Sequence, residues 1–321
     1  MWKIGLVSLV IFSSLFGADA EFNGRWDITV TGEPRGRAWW LEIEGAGTSS
    51  LKGRFVGFPG GDMNEIENLS IRNGELRFTF DRPAHPGSNE KPIHQEYTAR
   101  VAGGKLEGDF QGADRHLKWV GVRAPTIKDV DDGSWVEGKP IELFNHKNLA
   151  GWHGLIAGKP LGWSVQNGIL KSTGGANNLE TDRSFWNFLL HVEYEVGPHS
   201  NSGIGLRGRY EVQILEDYGR PPDRHSNGAL YSRIVPSENA SKRAGEWQTF
   251  DIRLIGRQVT VLLNGKKIID KGMIEGLTAI AANADEGKPG PIILQGDHGP
   301  VEFRRVVLTP LIKKNRQHAS D

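Results

Sequence analysis

Residues 210–215 read Tyr210-Glu211-Val212-Gln213-Ile214-Leu215, which alternates polar and apolar side chains with a period of two. Side chains of a strand point to opposite faces in turn, so Glu211 and Gln213 share one face while Val212 and Ile214 share the other. The apolar face predicts a core. The polar face has two interpretations: the solvated side that antiparallel sheets usually have, or a carboxylate and an amide presented to a ligand.

Further strand-like segments surround this stretch. From Lys139 onward they alternate with turn residues, and Asn264-Gly265 predicts the type I′ turn of a hairpin. Many antiparallel strands at regular spacing are typical of sandwiches with two sheets. We therefore predict an all-β chain whose residues 139–311 form a jelly-roll sandwich.

The first half predicts a separate small β-barrel. Eight strand-like segments lie between residues 22 and 124, and Gly24-Arg25-Trp26 with Lys118-Trp119 resembles the ends of lipocalin-like barrels. Residues 125–138 are acidic, flanked by proline and poor in apolar side chains, which predicts a linker. Residues 312–321 are predicted to form a tail.

Aromatic and histidine residues of the first half have two interpretations. They mark a ligand-binding mouth, or they are core and rim residues of a structural module. The residues in question are Trp39, Trp40, His85, His94 and His116.

Composition excludes several classes of function. Lysine plus arginine and aspartate plus glutamate both number 39, and no basic run concentrates a field for phosphates, so a nucleic-acid partner is excluded. The chain has no cysteine, which excludes disulfides, thiol nucleophiles, thiolate zinc sites and a lipid anchor on cysteine.

The N-terminus predicts export. Lys3 is followed by an apolar run from Ile4 to Phe16 and by Ala18-Asp19-Ala20, a small-x-small cleavage pattern. The alternative is an uncleaved anchor, but the run is shorter than the roughly 20 residues that a bilayer span needs. We expect residues 1–20 to be a signal peptide and the mature protein to be periplasmic or extracellular, without a membrane partner.

A set of short sequence pieces runs through residues 139–311. The pieces, in order, are Leu143-Phe144-Asn145, Leu149-Ala150-Gly151-Trp152, Trp163-Ser164-Val165, Gly168-Ile169-Leu170, Asn201-Ser202-Gly203-Ile204, Leu206-Arg207-Gly208, Tyr210-Glu211-Val212-Gln213-Ile214, Gly228-Ala229-Leu230-Tyr231, Gly245-Glu246-Trp247, Asn264-Gly265, Leu294-Gln295-Gly296-Asp297-His298-Gly299 and Val301-Glu302-Phe303-Arg304. Through these pieces, residues 139–311 resemble the 3-keto-disaccharide hydrolase domain family, also called domain of unknown function 1080. Arg305 stands where that family more often has asparagine.

The resemblance implies a concanavalin-A-like sandwich that acts on glycosides whose sugar ring carries a ketone at C3. Such a ketone acidifies the hydrogen on C2, so a general base can remove it and the group on C1 can leave by elimination, after which water adds. A site of this kind needs a base, a donor for the enolate oxygen and a proton donor for the leaving group.

Residue chemistry then suggests roles for the matched positions. Glu211 is the candidate base, and Asp297 with His298 the candidate proton donors. The candidate substrate-binding residues are Arg207 and Gln213, which would hold the keto sugar and its enolate, together with Gln295 and the aromatic platforms Trp152, Trp163 and Tyr231. Two plainer interpretations stay open: Arg207 and Glu211 pair across adjacent strands, and Asp297-His298 only shapes a turn.

Three alternatives to this chemistry remain. A divalent metal ion held by Glu211, Asp297 and His298 could polarise the ketone in place of Arg207, although no close-spaced ligand motif supports it. Glu211 and Glu216 could act as the carboxyl pair of a retaining β-glucanase. A carbohydrate-binding protein without catalysis would need only the aromatic residues; it would have a shallow groove, whereas elimination needs a buried base.

Overall fold

The computed structural model of the chain describes residues 19–32, 38–57, 61–82 and 91–314. The described residues are all-β apart from one 3-10 turn at Ala20–Phe22, which confirms the predicted class. The predicted signal peptide lies almost entirely outside the described residues, as do His85 and residues 315–321. In the described part of the chain, no helix has the length and apolar character needed to cross a membrane.

The first nine strands form one sheet in the order β4-β3-β2-β1-β9-β8-β7-β6-β5. Every neighbouring pair except β1 and β9 is consecutive in the chain, which is the order of an up-and-down barrel. The strands are β1 (Gly24–Thr31), β2 (Ala38–Glu44), β3 (Lys52–Val56), β4 (Met63–Glu65), β5 (Ser70–Arg72), β6 (Glu75–Arg82), β7 (Ile93–Ala102), β8 (Lys105–Gln111) and β9 (His116–Arg123).

Aromatic rings pack together inside this first sheet. Tyr97 lies 4.7 Å from Phe78, 4.9 Å from Phe55 and 4.9 Å from Phe110 between ring centroids. His94 and His116 are exposed and pair with Asp81 and Asp109. The two histidines therefore contact carboxylates at the surface.

The remaining strands form the predicted jelly-roll sandwich. One sheet has the order β13-β14-β23-β16-β19-β20-β21, with β10 and β11 also paired to β23, and the other has the order β12-β15-β22-β17-β18. The strands are β10 (Trp135–Glu137), β11 (Ile141–Glu142), β12 (Trp152–Gly154), β13 (Trp163–Gln166), β14 (Ile169–Ser172), β15 (Leu179–Thr181), β16 (Phe188–Val196), β17 (Asn201–Leu206), β18 (Tyr210–Leu215), β19 (Gln248–Ile255), β20 (Gln258–Leu263), β21 (Lys266–Met273), β22 (Ile293–Leu294) and β23 (Val301–Lys313).

Alternating sequence builds the larger of these two sheets. Every second residue of β16, from Phe188 to Val196, is buried, and the residues between them are partly exposed. Asn264 and Gly265 have positive φ angles of 52° and 81° and join β20 to β21, as the predicted hairpin turn requires. The apolar faces of both sheets meet in one core.

The described chain forms two compact units, and the second is discontinuous in sequence. It comprises Asp27–Trp40, Val56–Met63 and Ala124–Asp321. One division falls at Ala124, and the two earlier stretches lie within residues 22–124, which were predicted to form one separate barrel.

The segment predicted as a linker, 125–138, is not a free tether. Within it, β10 pairs with β23, and Asp131 forms an ion pair of 2.8 Å with Arg253. Asp129 accepts hydrogen bonds from the side chains of Trp186 and Asn187. Acidic residues of the predicted linker are therefore hydrogen-bond partners of buried or partly buried donors.

Candidate active site

Strand β18 places Glu211 and Gln213 on the same cavity. The cavity has a volume of about 280 Å³, and both side chains line it although they are only 3% and 2% exposed. Between them, Val212 points into the apolar core. The alternation that predicted a shared polar face is thus present, and that face is not the solvated side of the sheet.

A glycine on β17 makes room for the carboxyl group. Antiparallel pairing sets Gly205 opposite Glu211 and Gly203 opposite Gln213. A Cβ atom added to Gly203 would overlap the Glu211 carboxylate. The carboxylate therefore lies against bare backbone, in space that any other residue at position 203 would fill.

A turn after β22 supplies three further residues to the cavity. Gln295 binds Gly203 through its backbone N–H at 2.9 Å, and the backbone N–H groups of Gly296 and Asp297 donate to Asn178 Oδ1 at 2.8 and 3.1 Å. His298 Nδ1 lies 2.8 Å from Asp297 Oδ1. The His298 side chain is 50% exposed and that of Asp297 is 11% exposed, so the histidine lies at the rim.

The cavity has hydrogen-bonding capacity that the protein does not use. Gln213 Oε1 and Gln295 Oε1 are buried, and neither has a hydrogen-bond partner among the described residues. Leaving a buried acceptor unpaired costs about 1–3 kcal/mol. Two such acceptors lining one cavity indicate a site for a ligand that donates hydrogen bonds.

Burial raises the pKa values of two side chains that line the cavity. It raises the pKa of Glu211 to about 8; nearby His298 opposes this shift and Asp297 adds to it. Burial, with the charges of Asp62 and Glu211, raises the pKa of Tyr231 to about 12, so this lining phenol is neutral. Among the described lining residues there is no lysine or arginine to stabilise the carboxylate.

A sequence comparison identifies the domain that carries these residues. Residues 139–309 match the model of the 3-keto-alpha-glucoside-1,2-lyase-like domain, which covers more than half of the chain. The chain belongs to this family. The match ends two residues before the predicted boundary at 311 and supports a glycoside-acting enzyme.

Solved structures that match the chain have low sequence identity to it and low TM-scores. Two candidate glycosyl hydrolases of Parabacteroides distasonis each superpose on 54% of the chain: one is 26% identical over 89% of its own length with a TM-score of 0.45, and the other is 21% identical over 94% with a TM-score of 0.46. A non-specific endo-beta-1,3(4)-glucanase from family GH16 is 11% identical, covers 60% of the chain and 96% of its own length, and has a TM-score of 0.38. Comparison with curated proteins found no match.

Arg207, predicted to hold the keto sugar, lies elsewhere in this 3-keto-glucoside lyase-like domain. It follows β17 with a φ of 52° and is fully buried. Its guanidinium donates to the carbonyls of Trp186 and Gly256 at 2.6 and 2.7 Å and lies 3.9 Å from the Trp186 ring centroid. The left-handed turn directs the side chain away from the cavity, so the prediction that Arg207 converges with Glu211 is wrong.

Two of the predicted sugar platforms are core residues of the domain. Trp152 and Trp163 are 6% and 8% exposed and belong to the apolar core. Each donates its indole N–H to a backbone carbonyl, of Leu143 at 2.6 Å and of Asn177 at 2.7 Å. The third platform, Tyr231, does line the cavity, as do the predicted residues Gln295, Asp297 and His298.

Two alternative sites lack support from this geometry. Glu216 is not among the lining residues; its Oε2 accepts a hydrogen bond from the His199 backbone at 3.2 Å. Pairing of β17 and β18 continues in regular register to Leu215, without the bulge that would bring Glu216 to Glu211. No three His, Asp or Glu side chains of the described chain are grouped as a metal site.

Sequence reasoning missed several lining residues. Asn178 and Leu155 lie far from β18 in sequence and have no motif, and Asn201 was part of a matching piece to which no role was assigned. Ala279, Ile280 and Ala281 are apolar residues in a loop, where no periodicity marks them. The remaining missed residues precede the family match and are Ala38, Val56, Gly57 and Gly61; Trp39, also there, was predicted only as a candidate for a ligand mouth of the first half.

Proposed function

We propose that the protein cleaves 3-keto-glycosides by elimination, with Glu211 as the general base. The observation that carries this proposal is a buried carboxyl group with a pKa of about 8 that faces a cavity lined by unpaired amide oxygens. A general base works best when its pKa lies near the operating pH. The buried carboxyl also favours an enzyme over a carbohydrate-binding protein with a shallow groove.

The proposed reaction begins at C2 of the sugar ring. The Glu211 carboxylate takes the C2 proton, and the electrons of that C–H bond form the double bond of a C2–C3 enolate. The enolate electrons then expel the oxygen on C1, which leaves with a proton. Water adds to the unsaturated keto sugar that remains, so the net change is hydrolysis.

Neighbouring side chains would stabilise the two oxygens that gain negative charge, the enolate oxygen and the leaving oxygen on C1. Tyr231 is held neutral and lines the cavity, so its O–H is the proposed donor to the enolate oxygen, the role first assigned to Arg207. His298 and Asp297 are adjacent at the rim, where a leaving group would exit, and are the proposed proton donors to it. Gln213 and Gln295 would accept hydrogen bonds from ring hydroxyls.

The test compares oxidised and ordinary substrates. The purified protein is incubated with 4-nitrophenyl 3-keto-glucosides of both anomeric configurations and with the parent glucosides, and release of nitrophenol is followed. We expect release from a keto-glucoside only. Equal release from the parent would contradict the elimination and favour direct hydrolysis of ordinary glycosides.

A further inference from the structure

Two stretches that precede the family match contribute to the wall of the cavity. Ala38 and Trp39 begin β2, and Val56, Gly57 and Gly61 follow or end β3. All five residues belong to the second compact unit, together with Glu211. The family match begins only at residue 139, so this part of the wall is outside it.

Specific contacts fix these stretches against the rest of the wall. Ala38 donates its backbone N–H to the Ala281 carbonyl at 3.2 Å, and Met63 donates its backbone N–H to Ser232 Oγ at 3.0 Å. His225 Nε2 lies 2.6 Å from Asp62 Oδ1. The stretches are thus attached on both sides, next to Ala281 and next to Tyr231.

Close packing continues between these attachments. Gly61 has a φ of 77°, and a Cβ added to it would overlap the Ala279 side chain and lie 3.9 Å from the Tyr231 ring. A larger residue at this position would push the stretch away from Tyr231. The cavity wall therefore depends on the glycine here.

Among the described tryptophans, Trp39 alone lines the cavity. Trp152 and Trp163, the other two candidates for a sugar platform, lie in the core. Trp39 is 5% exposed, so its ring is held by the protein, and it adjoins the space that Glu211 faces. A rigid indole can cover the C–H face of a pyranose with little loss of side-chain entropy.

We infer that Trp39 determines substrate affinity and selectivity by packing against the sugar ring whose C2 faces Glu211, and that Asp62 positions this wall through His225. This inference rests on the proposed function for the identity of the sugar. It adds a binding residue from outside the family domain. It also predicts that residues 139–309 alone form an incomplete site.

The test of Trp39 separates binding from chemistry. In the Trp39→Ala variant we expect KM for a 3-keto-glucoside to rise roughly ten-fold with kcat changed less, because an aromatic contact is removed and the base is kept. Trp39→Phe should restore most of the affinity, since it keeps a flat ring. The matched control is Trp247→Ala, which removes a partly buried tryptophan that does not line the cavity.

Measuring affinity in a protein that lacks the base distinguishes the role of Trp39 from the proposed function. Calorimetric titration of the Glu211→Gln protein with a 3-keto-glucoside, with and without Trp39→Ala, measures affinity when the base is absent. A loss of affinity in the Trp39 variant supports the inference even if the wild-type protein turns over no keto-glucoside. Unchanged affinity and unchanged KM in folded Trp39→Ala would overturn it.

The positioning role of Asp62 has its own measurement. Asp62→Asn keeps the size of the side chain but loses the charge that faces His225, so the wall should loosen and water should reach Glu211. We expect the carboxyl band of Glu211 in infrared spectra, assigned by its loss in Glu211→Gln, to titrate at lower pH than in the wild type. Asp297, His298 and Tyr231 also face Glu211 and are unchanged in the variant. An unshifted titration would overturn the role of Asp62.

Discussion

Glu211 and Asp27 are two buried carboxyl groups of the second unit, and they have different surroundings. Glu211 is 3% exposed and lines a cavity, whereas Asp27, on β1, is 0% exposed and is not among the residues that line it. Burial raises the pKa of both groups, and Glu286 raises that of Asp27 further. A raised pKa therefore does not identify an active site unless open space with ligand-binding groups adjoins it.

The surroundings of Asp27 form a closed cluster of charges. Glu286 accepts hydrogen bonds from Tyr210 Oη at 2.6 Å and from Arg257 Nη1 and Nη2 at 2.5 and 2.6 Å. The Arg257 side chain is 11% exposed and that of Glu286 is fully buried. The cluster around Asp27 is closed, whereas Glu211 adjoins a cavity lined by unpaired amide oxygens.

The largest expected effect is on catalysis. Glu211→Gln preserves size and hydrogen bonding but removes the base, so kcat on a 3-keto-glucoside should fall by about 10²–10⁴. The control is Glu195→Gln on β16, which should retain wild-type turnover. Full activity of the Glu211 variant would contradict the role of Glu211 as the base, and Glu211 would then differ from Asp27 only in its surroundings.

The next effect is on stability. Glu286→Gln leaves the buried Arg257 without its carboxylate, so the free energy of unfolding should fall by about 3–5 kcal/mol, as measured by urea denaturation. Glu238→Gln breaks an exposed ion pair with Lys266 and should cost about 0–1 kcal/mol. If the two variants are equally stable, the cluster around Asp27 does not have the structural role assigned to it.

The pH profile of kcat/KM tests the role of Glu211. A base must be ionised, and the pKa of Glu211 is raised to about 8, so the rate should rise about ten-fold per pH unit below that value and level off above it. Initial rates with a 3-keto-glucoside from about pH 5 to about pH 10 would show this. A rate that instead declines through the same range would assign Glu211 as an acid.

The last effect concerns Asp27. Its pKa is raised in the folded state, so the stability it contributes is present at low pH and is lost as pH rises above the ordinary range of a carboxyl group. Asp27→Asn stays neutral, so its gain in stability over the wild type should be larger near pH 9 than near pH 5. Thermal melting at both pH values measures this; an equal difference at both would contradict it.

Local alternation allowed the sequence to predict one part of the site. Glu211 and Gln213 were placed together because strand geometry fixes residues two apart on one face. The same reasoning failed for Arg207, since it assumed an extended backbone at a residue that has a φ of 52°. A single left-handed residue redirects a side chain, and no periodicity reports it.

Long-range packing accounts for what the sequence did not reveal. Trp152 and Trp163 are aromatic residues of the kind that can stack on a sugar, and only their burial and their hydrogen bonds to backbone carbonyls in the folded domain show that they are core residues. Trp39 was a candidate for a ligand mouth in the first half, yet it lines the cavity that contains Glu211. Its neighbours there are determined by folding of the whole unit.

The attachment of residues 38–40 and 56–63 has a consequence for biosynthesis. Met63 and Asp62 bind Ser232 and His225, which lie 169 and 163 residues later in the chain. These partners are still untranslated when the early stretches leave the ribosome, and contacts between distant residues form slowly. The cavity wall should therefore be among the last parts of the protein to mature, and a nascent chain would acquire its ligand-binding site only near the end of translation.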